Sequence, residues 1–375
     1  MRILELICSP LAGGAENHTR LISKALAGKG CEVRLAAVPG EYAGRFMELR
    51  EHGISVTVNK LFDYTGDMLS MLKDLLRAGK TDIIHCHMHR ADMVGSMIRG
   101  YNRRIKLVTT VHNMMWLDLR GSIKRYLYYF PVRHALNSMD RVFTVSDYVR
   151  EHVRKYYGLE DSAVKTILNS VDLGELQPDA AEVKAARAGL GIEEGKKTVL
   201  CVGRLEYLKG QRLLLKSFKK VLSGGVNARL VLLGSGPDEG LLKSSARELG
   251  LEGKVHFAGY RNNVADYLGF CDVLVHPSMH DSLSRTVLEA MAMEVPVITT
   301  DSGGASEVIS DGDNGILIKP GDGDALAGRI SDLLDDREKR IRLGKKAAEF
   351  VRNNASMDVM ADRYISEFSG LLNAV

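Results

Sequence analysis

Four side chains able to act on a phosphate or a sugar fall in two short stretches of the C-terminal half. The first runs Val202-Gly203-Arg204-Leu205-Glu206-Tyr207-Leu208-Lys209-Gly210. Arg204 as a planar fork and Lys209 as a point charge can neutralise a diphosphate without a metal, although a surface loop with two cations looks the same in isolation. The second runs from His280 to Ala292 and carries Asp281 and Glu289 on either side of an expected helix start. Ser284 suits the N-cap, and Val287, Leu288, Met291 and Ala292 give the following turns an apolar stripe. The amides of Leu283, Ser284 and Arg285 then sit at the positive end of the helix dipole, where an anion is favoured. A carboxylate at that place suits sugar hydroxyls, because it accepts two hydrogen bonds and donates none.

The N-terminal half offers other candidates. Gly13 and Gly14 follow the first apolar run, and a glycine turn between strand and helix lets a ligand approach the backbone. The glycine spacing is not that of a dinucleotide fingerprint, and a plain tight turn accounts for it equally well. His112 ends the run Thr109-Thr110-Val111, which places an imidazole at a strand's carboxyl edge. His85, His87 and His89 alternate at period two, which predicts one strand face. No carboxylate or cysteine joins them there at ligand spacing, so packing or hydrogen bonding is expected and no metal site is assigned. Gly234 belongs to Leu233-Gly234-Ser235-Gly236-Pro237, which mimics a nicotinamide-cofactor loop. Its spacing is off by one, and Pro237 occupies the helix start, so it is expected to be a turn.

These residues need strands to carry them. Strands are predicted at 2–8, 31–38, 54–59, 82–87, 106–112, 141–146 and 164–168, then at 197–203, 228–234, 254–258, 272–276, 295–299 and 315–318. Helical patterns lie between, among them 15–29, 66–79, 90–100, 121–138, 147–157, 209–223, 284–293, 304–310 and 322–352. Such alternation predicts an α/β chain with parallel sheets covered by helices on both faces. The polar stretch 173–196, with Pro178 and Gly195, breaks the rhythm. The expected organisation is therefore residues 1–174, residues 175–355 and a final helix in 356–375. Two doubly wound, Rossmann-like domains would face each other across a cleft at their strands' carboxyl ends.

Composition sets outer limits. The chain has 375 residues, 45% hydrophobic and 26% charged, as an ordinary globular protein does. Met1 leads directly into a strand pattern, so no signal peptide is expected, and no apolar run is long enough to span a bilayer. Five scattered cysteines read as reduced thiols in a cytoplasmic protein. The net charge of +4 is uneven: residues 1–175 hold 25 Lys and Arg against 19 Asp and Glu. Within 90–155 the ratio is 13 to 5. That basic region, with the aromatics of Met114–Leu117 and Lys124–Phe130, fits an anionic partner or the anionic inner face of a membrane. A solvated face with core aromatics fits as well.

Taken together the motifs resemble the retaining GT-B glycosyltransferases of glycosyltransferase family 4. The hallmark is a Glu, seven residues, a second Glu and then Ala-Met-Ala. Glu289-Ala290-Met291-Ala292 matches the second part, while the first Glu is Asp281 and the frequent glycine after it is Ser282. Further matches, in order, are Gly13-Gly14-Ala15-Glu16, Asp82 with His85 and His87, His112, Ser146, Asn169-Ser170-Val171-Asp172, Gly203-Arg204 with Lys209-Gly210, Gly234-Ser235-Gly236-Pro237, Pro277-Ser278, and Gly303-Gly304 with Glu307. The resemblance spans nearly the whole chain. It implies a hexosyltransferase that uses a nucleotide-diphosphate sugar, with UDP-sugar favoured, and needs no metal or other cofactor. The catalytic set would be His112, Arg204, Lys209 and Asp281. Gly13, Gly14, Gly234, Leu283, Ser284 and Glu289 would hold the donor, with Glu289 on the ribose hydroxyls. A saccharide or lipid-linked acceptor would bind the N-terminal domain, in the building of a polysaccharide, lipopolysaccharide or glycolipid, and no nucleic acid is expected as a partner. A nucleotide-sugar epimerase on the same fold and a non-catalytic sugar-binding module are the alternatives.

Overall fold

A computed structural model of the chain describes residues 1–10, 13–58, 80–99, 104–113 and 124–374; of 124–127 it describes the backbone alone. The predicted helix 66–79 and the aromatic segment 114–117 lie outside the described residues.

The chain forms two compact units, one of Met1–Ser170 with Met357–Val375 and the other of Val171–Ser356. In the first unit β1 (Arg2–Ile7), α1 (Gly14–Gly28) and β2 (Glu32–Ala37) are followed by α2 (Ala43–Met47), a 3-10 turn (Glu48–His52) and β3 (Ser55–Val58). Then come β4 (Ile83–His87), α3 (His89–Arg99), β5 (Lys106–Val111), α4 (Lys124–Asn137), β6 (Arg141–Thr144), α5 (Asp147–Tyr157) and β7 (Val164–Thr166). All seven strands are parallel, in the order β3-β2-β1-β4-β5-β6-β7. Every residue of β4 is buried, as a parallel strand covered on both faces requires. Helix ends follow local chemistry: Ser146 caps α5 by accepting from the Val149 amide, and Gly158 ends it in the left-handed region at φ 67°.

The second unit contains α6 (Ala180–Gly189), β8 (Lys197–Val202), a 3-10 turn (Tyr207–Lys209), α7 (Gln211–Ser223), β9 (Ala228–Leu233), α8 (Glu239–Glu248) and β10 (Val255–Gly259). It continues with α9 (Val264–Leu268), β11 (Val273–His276), α10 (Arg285–Ala292), β12 (Val297–Thr300), a 3-10 turn (Gly304–Glu307), β13 (Ile316–Ile318), α11 (Gly323–Asp335) and α12 (Arg337–Asn354). Its six strands are parallel, in the order β10-β9-β8-β11-β12-β13. The last helix, α13 (Met357–Asn373), belongs to the first unit, where Met360, Tyr364 and Phe368 are buried in an apolar layer with Ile3, Ile22 and Phe143.

Three expectations need correcting, and one short helix was not predicted. The pattern at 322–352 is two helices, because Asp336 turns out of the first and its carboxylate caps the second by accepting from the Lys339 amide. His89 is not on the strand with His85 and His87: Met88 takes φ 73°, and His89 opens α3. The helix at 304–310 is a single 3-10 turn, and α2 escaped the periodicity because one turn is too short to display it. Cys8, Cys86 and Cys201 are buried and Cys31 and Cys271 half-buried, all of them unpaired. The strand order reverses between β1 and β4 in the first unit and between β8 and β11 in the second. In doubly wound sheets such a place opens a crevice at the carboxyl ends of the strands.

Candidate active site

In the second unit that crevice is built by four loops leaving β8, β9, β11 and β12. The loop after β8 carries Arg204 and Lys209 and is sewn to its neighbours by main-chain bonds, from Leu205 to Ser235 and from the Met279 amide to Leu208. Gly234 takes φ 141°, and a Cβ there would lie 2.0 Å from the carbonyl oxygen of Gly203, so only glycine lets the two loops touch. The same holds at Gly303, where a Cβ would lie 1.7 Å from the Asp281 carbonyl oxygen.

These loops set Asp281 between two basic groups. Lys209 Nζ donates to its Oδ2 at 2.7 Å, and His276 Nε2 lies 2.9 Å from the same oxygen. Burial would raise the Asp281 pKa, but Lys209 and His276 outweigh it and hold the carboxyl well below its ordinary range. Burial would lower the Lys209 pKa, and Asp281 reverses this, so the ammonium is kept charged. The cavity beside them is lined by His276, Asp281, Leu283, Ser284, Thr300 and Gly303, among others.

Helix α10 supplies the second carboxylate. Glu289 Oε1 lies 2.9 Å from Arg285 Nε one turn earlier, whereas its buried Oε2 has no hydrogen-bond partner among the described residues. Ser284 does occupy the N-cap of α10, but its hydroxyl makes no capping bond. The first-turn amides of α10 therefore lack the side-chain acceptor that Asp179, for example, gives to α6. Arg204 is the most open of the group: its side chain is 62% exposed and pairs with Glu206 at 3.3 Å.

The crevice of the first unit holds imidazoles. Glu5 on β1 is fully buried, with Oε2 2.7 Å from His87 Nε2 and Oε1 3.3 Å from His85 Nδ1. His85 Nε2 reaches Thr110 Oγ1 at 2.8 Å, which in turn bonds the Tyr364 hydroxyl of α13 at 2.8 Å. His87 Nδ1 lies 3.1 Å from His112 Nε2. The expectation that no carboxylate joins these histidines is thus wrong. The partner comes from the neighbouring strand, where Glu5 stands in register with His85. Ligand-capable atoms of Glu5, His85 and His87 lie within 4.8 Å of one another, but each is taken up in the hydrogen bonds just given. Gly13 and Gly14 begin α1 nearby in sequence, and an added Cβ at Gly13 would meet Glu16 Oε2 at 3.0 Å.

The structure thus joins Lys209 directly to Asp281, and lines one cavity with Asp281, Leu283 and Ser284. It leaves Arg204 and Glu289 on separate ion pairs of the same unit, and sets His112, Gly13 and Gly14 in the other unit. Sequence reasoning missed His276 and Glu5 as partners, whereas the hydrogen bonding expected of His85 and His87 is present. A polar residue closing the apolar run Val273-Leu274-Val275 was the available signal for His276.

Two parallel-sheet α/β units with crevices of this make-up define a GT-B glycosyltransferase. Residues 12–175 match the family described as Glycosyltransferase Family 4, and residues 182–350 match Glycosyl transferases group 1. An uncharacterized glycosyltransferase of Methanocaldococcus jannaschii is 30% identical over 297 residues, covering 76% of this chain and 72% of that protein. The N-acetyl-alpha-D-glucosaminyl L-malate synthase of Bacillus anthracis is 25% identical over 368 residues, covering 96% and 94%. The crystal structure of Anabaena HepE in complex with UDP-glucose superposes with a TM-score of 0.83 at 22% identity, covering 99% of this chain and all of that one. The chain belongs to the group 1 glycosyl transferases of glycosyltransferase family 4, and it is a glycosyltransferase enzyme.

Proposed function

We propose that this enzyme moves a hexose from a UDP-sugar to a saccharide or lipid-linked acceptor with retention of configuration, in the assembly of a polysaccharide, lipopolysaccharide or glycolipid. The observation that carries the donor assignment is Glu289. A buried carboxylate oxygen without a donor costs free energy, about 1–3 kcal/mol, which a vicinal diol such as a ribose would recover. Lys209, Arg204 and the first amides of α10 then meet the charge that grows on the leaving diphosphate, the main catalytic contribution in such a transfer. In this reading the diphosphate competes with Asp281 for the Lys209 ammonium, and Asp281 is left to the sugar hydroxyls. The named relatives support the substrate class: one is an N-acetyl-alpha-D-glucosaminyl L-malate synthase by name and one was crystallised with UDP-glucose.

The test is incubation of the full chain with a panel of UDP- and GDP-hexoses, with and without saccharide and lipid-linked acceptors. Acceptor-dependent release of UDP and a glycosylated product is expected. An altered free sugar without acceptor would make it an epimerase, and binding without turnover a sugar-binding module.

A further inference from the structure

The buried carboxylate of the first unit is not needed for packing. Glu5 lies fully buried against an apolar layer that holds Ile3, Ile7, Ile83 and Phe143. A charge there costs several kcal/mol unless it is hydrogen bonded, and an apolar replacement is often neutral or stabilising. What the carboxylate does is dictate protons.

We propose that Glu5 and His87 are positioning residues that fix the tautomer of His112, with its proton on Nε2, so that Nδ1 presents a lone pair to a hydroxyl of the sugar substrate. The proposal rests on the glycosyl-transfer reading above. An ionised carboxylate can only accept, so His87 Nε2, 2.7 Å from Glu5 Oε2, must carry a proton. His87 in its neutral form then has a bare lone pair on Nδ1. The contact of 3.1 Å from that atom to His112 Nε2 is a hydrogen bond only if His112 Nε2 is the donor. The opposite tautomer would set two lone pairs against each other. Ionisation states agree with this direction. Burial would raise the Glu5 pKa, but the two imidazoles bring it down to about 2. Burial and the neighbouring His85 lower His87 to about 4. Burial, His18 and His87 hold His112 well below its ordinary value. Among the described residues His112 Nδ1 has no hydrogen-bond partner, while the ring is held at its side by an edge-on contact with His18 at 4.8 Å between centroids. The chain Glu5–His87–His112 thus orients an imidazole through a second imidazole, as a ligand or base is oriented by the group behind it.

The experiment is nitrogen NMR of the imidazole-labelled full chain at neutral pH, with His112 assigned by the signal lost in His112→Gln. The expected spectrum shows His112 neutral, protonated at Nε2 and bare at Nδ1. In Glu5→Gln the single tautomer should give way to a mixture. The same variant should lose about tenfold to a hundredfold in kcat, with KM for the nucleotide-sugar changed by less than about twofold, kcat being taken per folded chain with the folded fraction measured by circular dichroism, because loss of folded protein alone lowers apparent kcat at constant KM. A His112 protonated at Nδ1 in the wild-type chain overturns the proposal, as does a folded Glu5→Gln with both tautomer and kcat unchanged. The wild-type spectrum, assigned through His112→Gln, does not depend on Glu5→Gln, so it decides the tautomer even if Glu5→Gln does not fold. A chain that transfers no sugar would sink the functional reading and leave the spectrum to decide the tautomer.

Discussion

Asp281 is one methylene shorter than the glutamate that the family hallmark places there, and the structure gives the shorter carboxylate two partners on one oxygen. Lys209 and His276 both lie on Oδ2, within 3 Å, and Oδ1 has no side-chain partner among the described residues. Solvent reaches about a quarter of the Lys209 side chain and a fifth of Asp281 (25% and 21%). Removing one member of such a pair strands the other. Lys209→Met should therefore cost roughly 2–4 kcal/mol of stability, a figure reduced from that of a fully buried pair for the solvent that reaches it. Lys209→Met/Asp281→Asn should recover much of that loss; denaturant titration of the single and double variants gives the coupling, and additive losses would mean the contact is not a working ion pair. Asp92 on α3 makes a second residue-scale prediction. It is buried beside Thr109 Oγ1 at 2.5 Å, and burial pushes its pKa up to about 7, against the weaker pull of that hydrogen bond. Between about pH 4 and pH 7 the folded chain then binds more protons than the unfolded one. Stability from this group should fall as pH rises through that window, by up to about 1.4 kcal/mol per unit, and level off above it. Asp92→Asn should flatten that slope; an unaltered slope would show that the carboxyl is ionised when folded.

Elements were more legible than contacts. The strands of both sheets could be read because a buried parallel strand is a short apolar run between glycine or polar breakers, and α10 because Val287, Leu288 and Met291 repeat at helical spacing. What could not be read were pairings across strands. Glu5 and His85 are 80 positions apart, and no local period tells β1 that β4 will lie beside it in register. The break at Asp336 was available, since aspartate is a strong N-cap, but an apolar stripe on both sides of it concealed the stop. Helix α13 was expected from its periodicity, and its attachment rests on apolar burial. Tyr364 and Phe368 are fully buried, with ring centroids 5.6 Å apart and Phe143 5.0 Å from Tyr364. Phe368→Ala should destabilise the first unit by about 3–5 kcal/mol, read as an earlier unfolding transition; a loss under about 1 kcal/mol would mean that the helix contributes little to that core. The aromatics of α4 divide: Tyr129 packs on Tyr156 and Tyr157, whereas Phe130 is 69% exposed. Packing thus accounts for the first and leaves the second as a surface residue of the basic region.

At the scale of the whole chain, one topology has been given two chemistries. Each unit reverses its strand order beside its first strand, and each puts titratable groups at that place. The first unit carries a carboxylate and a file of imidazoles that accept and donate single hydrogen bonds, suited to hydroxyls. The second carries a lysine, an arginine and a helix start, suited to phosphates. No helix among the described residues is long and apolar enough to cross a membrane. The excess positive charge of residues 1–175 falls mainly on the first unit. The central claim is that the second unit holds the nucleotide, and calorimetric titration of UDP-hexoses into the full chain, wild-type and Glu289→Ala, tests it most directly. The account predicts saturable binding to the wild-type chain and a Kd raised by about tenfold or more in the variant, equivalent to about 1.4 kcal/mol. Equal affinity in the two proteins, both folded, would contradict it.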